Sequence, residues 1–298
     1  MPRTCSHVLR RWLCPLALAI AVSLPCPGAR AQTAPPSTSY AWSHEHTAAA
    51  DTVRQRLAPP AGFQRLDAAP GSFAHWLRGL PLKPAGSPVL LHTGKPKYSQ
   101  NSHAAVIDID TGPRDLQQCA DAIMRLRAEW LFSAHRHDEI AFDYTVSDVA
   151  SRRVAFSRWA KGERPKPGRT SVGWSGGAKP DASYPSFRRY LDQVFAYAGT
   201  ASLSAELKPR ALAQMQIGDV WIKGGFPGHA VLVIDMGKHA TTGETRFLLA
   251  QSFMPAQDIH ILKDPSAKDG APWYRLDAQA DLWTPDWTFT KDQLKHWP

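Results

Sequence analysis

The chain has 298 residues, a formal charge of +9 and four cysteines, and residues 1–31 hold four of its arginines and three of its cysteines. Without them the formal charge is +5, with no Lys/Arg block of the kind a nucleic-acid binder carries. Cys119 is then the one remaining thiol, so no intramolecular disulfide can form and the fold must rest on its core.

Residues 1–31 read as a cleavable export signal. Arg3, Arg10 and Arg11 charge the start, an apolar run spans Leu13–Leu24, and Ala29-Arg30-Ala31 supplies a processing site. The apolar run is too short to span a bilayer, which takes ~20 apolar residues. The expected product is periplasmic or secreted, cleaved near Ala31, with no transmembrane segment after cleavage. Residues 32–50 are rich in Pro, Ser, Thr and Ala and read as a flexible leader. Residues 51–298 are expected to form a single domain.

Helical spacing is plausible over 51–82. Strands are expected at Val89–His92 and Ala104–Ile109. The strongest helix signal follows, with Asp115 as cap, Gln118 three residues on, and Ala120, Ile123, Leu126 and Trp130 at helical spacing. Ile140–Tyr144 reads as a strand, and residues 160–184 as a long Gly/Pro/Lys-rich loop. A second helix is expected from Phe187 to Ala198, ending at Gly199. Three strands follow: Val220–Ile222, Ala230–Asp235 and Phe247–Ser252, the last two joined by a turn at Thr242-Gly243. The tail from 265 reads as irregular and Trp-rich. This order of elements points to an α+β fold.

Cys119 falls in the first turn of the strongest helix, where free N–H groups and the macrodipole favour an anion, so a lowered thiol pKa is expected. Cys119 also shares a face with Ile123, Leu126 and Trp130, and a small buried thiol is the competing reading. Lys223-Gly224-Gly225-Phe226-Pro227-Gly228 delivers His229 to the start of an apolar strand. A general base needs that rigid backing and an open approach in front.

Cys119 at a helix start, then Gly218-Asp219-Val220, then Gly228–Asp235 (GHAVLVID), resembles the papain-like cysteine hydrolases, especially the NlpC-type cell-wall peptidases and the CHAP amidases. The resemblance implies a central helix packed on an antiparallel sheet, Cys119 as nucleophile, His229 as base and a polar orienter on the next strand. Gln251 is the candidate orienter, with Ser252 and Asp258 as fallbacks. The Cys119 N–H, with the Gln118 side chain, would form the oxyanion hole, and Gly228 would support the histidine. RDLQQCADAIMRLRAEWL, YAGTASL, GGFPGHAVLVIDM and LLAQSFMPAQ resemble, besides, a numbered bacterial envelope family of unknown function.

The expected activity is therefore an envelope cysteine hydrolase or acyltransferase acting on amide or ester bonds, with peptidoglycan peptides as target class. Trp174 and Trp221 are candidate substrate-binding residues, since aromatic rings stack on sugars. A non-catalytic periplasmic binding protein with an inert Cys119 is the alternative. His44-Glu45-His46 and His135-Arg136-His137-Asp138 have no further ligands spaced to close a site, so neither a metal nor any other cofactor is expected. No phosphate loop, G-x-S-x-G elbow or dinucleotide fingerprint occurs.

Overall fold

The structure, a computed structural model, describes residues 1–2, 40–42 and 51–298. The expected export signal beyond residue 2 and most of the leader, with His44-Glu45-His46, lie outside the described residues. Part of the leader is tied down. The Tyr40 hydroxyl donates to the Trp76 carbonyl at 2.9 Å, and the Trp42 indole donates to the Asp108 carbonyl at 2.7 Å. Residues Pro36–Pro298 form one compact unit.

Within it, α1 (Val53–Arg56), β1 (Phe63–Arg65), α2 (Phe73–Arg78) and β2 (His103–Val106) precede the long helix α3 (Cys119–Ser133). Next come β3 (Ala141–Asp143), β4 (Arg153–Ala155), α4 (Phe156–Ala160), β5 (Arg164–Pro167), β6 (Val172–Ser175), α5 (Tyr184–Tyr197) and α6 (Thr200–Glu206). The last third holds β7 (Lys208–Pro209), β8 (Val220–Lys223), β9 (His229–His239), β10 (Thr245–Gln251) and β11 (His260–Leu262). It closes with β12 (Tyr274–Arg275), β13 (Leu282–Trp283), β14 (Thr288–Phe289) and β15 (Leu294–His296). The main sheet runs β2-β11-β10-β9-β8-β15-β7, with antiparallel pairings throughout. The fold is α+β, with six helices and a large antiparallel sheet among the described residues.

Strand β9 is buried from both sides, which is why its sequence shows no polar alternation. Ala230, Leu232 and Ile234 join the core that contains α3 and α5, while Val231, Val233 and Met236 join a second core under the C-terminal segment. The turn after β9 uses Gly243 at φ 73°, a conformation that glycine adopts without strain. The same strand buries Asp235, which accepts from the Nε of both Arg65 and Arg78.

Several expectations shift. Helix α3 starts at Cys119, with Gln118 at the N-cap position. The Asp121 carboxylate accepts the Gln118 N–H at 3.1 Å, so Asp115 is not the cap. Asp115 instead accepts the Ala256 N–H at 2.6 Å. Val89–His92 makes only isolated bridges, from Leu90 to Pro96 and from Leu91 to Gln257. The 160–184 loop contains the β5–β6 hairpin. Helix α5 begins three residues early, because the Ser183 side chain caps it by accepting the Ser186 N–H. The tail is less irregular than expected, since β15 pairs with β7 and β8 inside the main sheet.

Candidate functional site

Cys119 opens α3, and the segment before it is clasped from two sides. The Gln117 side-chain oxygen accepts from Arg125 at 2.9 Å, and the Gln117 carbonyl accepts the Ser252 hydroxyl at 2.9 Å. Ser252 directly follows β10, so this bond ties the helix start to the strand that carries Gln251. Backbone N–H groups of Ala120, Ala230 and Cys119 itself lie near enough to the sulfur to favour its anion. Ala230 is the neighbour of His229 in β9, and this brings the helix start to the start of that strand.

Gly228 is fixed at its position by crowding. A Cβ there would lie 2.6 Å from the carbonyl oxygens of Gly225 and Lys223 and would strike the Thr200 hydroxyl. Glycine lets the bend press against α6 and send His229 into the sheet.

His229 Nε2 lies 2.8 Å from the Gln251 side-chain oxygen. Behind it, the Gln251 amide nitrogen donates to Asp286 Oδ2 at 2.6 Å and faces His260 Nε2 at 3.4 Å. His260 Nδ1 lies 2.9 Å from the Asp258 carbonyl, an acceptor only, so that nitrogen carries the proton and Nε2 is a lone pair. Both groups facing the Gln251 nitrogen therefore accept, which turns the Gln251 oxygen toward His229. That oxygen requires a proton on His229 Nε2. Nδ1 is left as a buried lone pair with no hydrogen-bond partner among the described residues. Asp286 is paired with Lys97 at 3.1 Å. The imidazole is enclosed by Phe253 at 4.9 Å, Trp287 at 5.8 Å and Phe289 at 5.8 Å between ring centroids.

The electrostatics correct two expectations. Burial pushes the Cys119 thiol up to about 11, helped by the nearby Asp121 and only partly offset by the three N–H groups. The helix start does favour the thiolate, but desolvation outweighs it. Nor is the approach open, since Cys119 is 8% exposed and His229 1%. Burial also lowers His229 to about 4, against the opposing pull of Gln251 and Asp286, and lowers His260 to about 3. Burial raises the Asp286 carboxyl, but Lys97 and the Gln251 amide more than reverse this and hold it below its ordinary range. At neutral pH the site holds a thiol and neutral imidazoles.

The other candidates fall as follows. The Gln118 amide donates to Asp115 at 3.1 Å. No hydrogen bond joins Ser252 or Asp258 to the His229 ring among the described residues. Asp258 instead accepts from Lys83 and from the Leu90 N–H. Trp174 lies apart on β6, under the Arg158 guanidinium at 3.9 Å. Trp221 is buried on β8 and lines a cavity of about 450 Å³ with Phe247, Tyr274, Leu282 and Trp283. The Phe289 ring lies 6.4 Å from Trp221 and 5.8 Å from His229. Asp219 shapes the turn into β8 by accepting the Gln216 N–H at 2.8 Å. His137 stacks on Phe132, and no metal-binding group of three His, Cys, Asp or Glu occurs among the described residues. No helix of the described residues is long and apolar enough to cross a membrane.

Sequence reasoning missed Lys97, His260, Asp286 and the aromatic enclosure. Asp286 and Trp287 lie in the stretch read as irregular, and no spacing rule links position 97 or 286 to position 251.

A family model described as a domain of unknown function (4846) matches residues 53–296, and the chain belongs to that family. No curated protein and no solved structure matches it.

Proposed function

We propose that the protein is a papain-like cysteine hydrolase or acyltransferase of the cell envelope, exported by its N-terminal signal and acting on amide or ester bonds, with peptidoglycan peptides as target. The observation that carries this reading is the His229 ring, held by Gln251 and Asp286 with an unprotonated, unpartnered Nδ1. A histidine that serves only packing has no need of a free lone pair backed by a chain of oriented donors and acceptors. The sulfur next to the Ala230 N–H supports the same reading.

In the reaction, Cys119 passes its proton to His229 Nδ1 as the sulfur bonds to the acyl carbon. The oxyanion takes the Cys119 N–H, a donor worth ~3 kcal/mol when aligned. The C–N or C–O bond then breaks, and the leaving group takes the proton from His229. Water or an acceptor nucleophile releases the thioester by the reverse sequence. Cys119 and His229 are both buried and no hydrogen bond joins them in this structure, so the reaction requires Phe253, Trp287 and Phe289 to part and His229 Nδ1 to come within reach of the sulfur.

The burial of Cys119 favours a second reading, a non-catalytic envelope binding protein with an inert thiol. Incubation with purified muropeptides separates the two. Amine release lost in both Cys119→Ala and His229→Ala supports the enzyme. Release that survives Cys119→Ala rejects the nucleophile. No release, together with thiol labelling only after unfolding, assigns the second reading.

A further inference from the structure

Besides Met1, Val149, Tyr197 and Trp283, three large apolar side chains left in water flank the His229 cluster. Among the described residues, Tyr98 is 105% exposed, Phe226 86% and Met254 57%. Tyr98 adjoins Lys97, which pairs with Asp286. Phe226 stands three residues before His229 on the bend that delivers it. Met254 follows Phe253, whose ring packs on His229. Three separate loops therefore each put one large apolar side chain in water within three residues of the His229 cluster. Solvated apolar side chains gathered at one place mark an interaction surface.

The charge of these loops is one-sided. Residues 92–100, 223–228 and 252–256 contain Lys95, Lys97 and Lys223 and no acidic residue. Lys95 and Lys223 are exposed. We infer that this end of the protein docks on an anionic lipid surface, with Tyr98, Phe226 and Met254 inserted among the headgroups and Lys95 and Lys223 against the lipid phosphates. Single apolar tips on separate loops suit a deformable headgroup layer, whereas a stable protein interface buries roughly 1,200 Å² or more of fitted surface. Aromatic and flexible apolar side chains flanked by lysine are the composition of interfacial anchors. Vesicle binding needs neither the thiol nor the imidazole, so it can fail or succeed independently of the proposed reaction.

The test is flotation of the compact unit from Pro36 onward with vesicles of phosphatidylglycerol, and separately of phosphatidylcholine. Partition is expected on the anionic vesicles and at least tenfold less on the zwitterionic ones, weakening as salt screens the charges. The triple variant Tyr98→Ser, Phe226→Ser, Met254→Ser is expected to lose at least tenfold in partition while melting at the wild-type temperature. Lys95→Glu with Lys223→Glu is expected to remove the preference for anionic lipid. Equal binding to both vesicle types, no binding to either, or full binding by the triple variant overturns the inference. Retention on purified peptidoglycan without vesicle binding also overturns it and assigns the surface to the polymer.

Discussion

His229 Nε2 and the Gln251 side-chain oxygen lie 2.8 Å apart, and this bond decides which nitrogen of the imidazole holds a proton. A carboxylate at position 251 would fix the same tautomer and also stabilise an imidazolium. The amide does only the first, and the nearest carboxylate, Asp286, is bonded to the far side of that amide. The charge that steadies His229 is thus relayed through a neutral group and shared with Lys97.

Gln251→Ala is expected to release the ring. In ¹⁵N spectra at neutral pH, wild type shows His229 protonated on Nε2 only, and the variant shows both tautomers exchanging. Under the proposed reaction, turnover falls about 10²-fold, the scale of a mispositioned general base. Asp286→Asn retains the side-chain shape and is expected to cost less, since the asparagine oxygen still accepts from Gln251. A wild-type spectrum with both tautomers would overturn the assignment.

Much of this arrangement could be read from the chain alone. The His229–Gln251 contact is legible because each residue sits at the edge of a regular element whose period is visible, a strand start and a strand end, and the helix start at Cys119 is legible in the same way. The hairpin turn at Gly243 sets the register, with Ala250 opposite Leu232, and that brings Gln251 near the start of β9. Lys97 and Asp286 could not be read, because they reach the site from short-range irregular segments whose paths depend on tertiary contacts. The burial was misjudged for a related reason. A helix start has a local signature that favours a thiolate, whereas the rings of Phe253, Trp287 and Phe289 close over His229 only in the finished fold.

The raised thiol has a direct kinetic consequence. With Cys119 pushed up to about 11, the thiolate fraction at pH 7 is roughly one part in ten thousand. Iodoacetamide labelling of the native protein is expected to be slow at pH 7 and to climb about tenfold per pH unit toward pH 10. A rate that levels off near pH 8.5 would show an ordinary thiol and contradict the burial described for the sulfur.

Acid should unfold the protein through its neutral histidines. His229 and His260 are depressed to about 4 and about 3, so as pH falls below 6.5 the unfolded chain takes up protons that the native state refuses. Native stability is therefore intact above about pH 6.5 and is lost on acidification toward pH 3–4, by several kcal/mol in all. Urea midpoints at pH 7, 5.5 and 4.5 measure this. His260→Gln is expected to flatten the profile, because one of the two depressed groups is gone. A wild-type midpoint that does not move between pH 7 and 4.5 would refute the account.

Gly228→Ala tests the bend that aims His229. The added Cβ meets the Gly225 and Lys223 carbonyl oxygens at 2.6 Å, besides the Thr200 hydroxyl. A side-chain neighbour can rotate away, but two backbone carbonyls cannot move without bending the segment into β9. The expected loss is about 1–3 kcal/mol, as for other overpacked positions, read as a lower urea midpoint. Adding Thr200→Ala removes only the hydroxyl contact, so the double variant should recover part of the loss and no more. Full recovery would locate the crowding in Thr200 alone, and the bend would then not need glycine to carry His229 to its place beside Gln251.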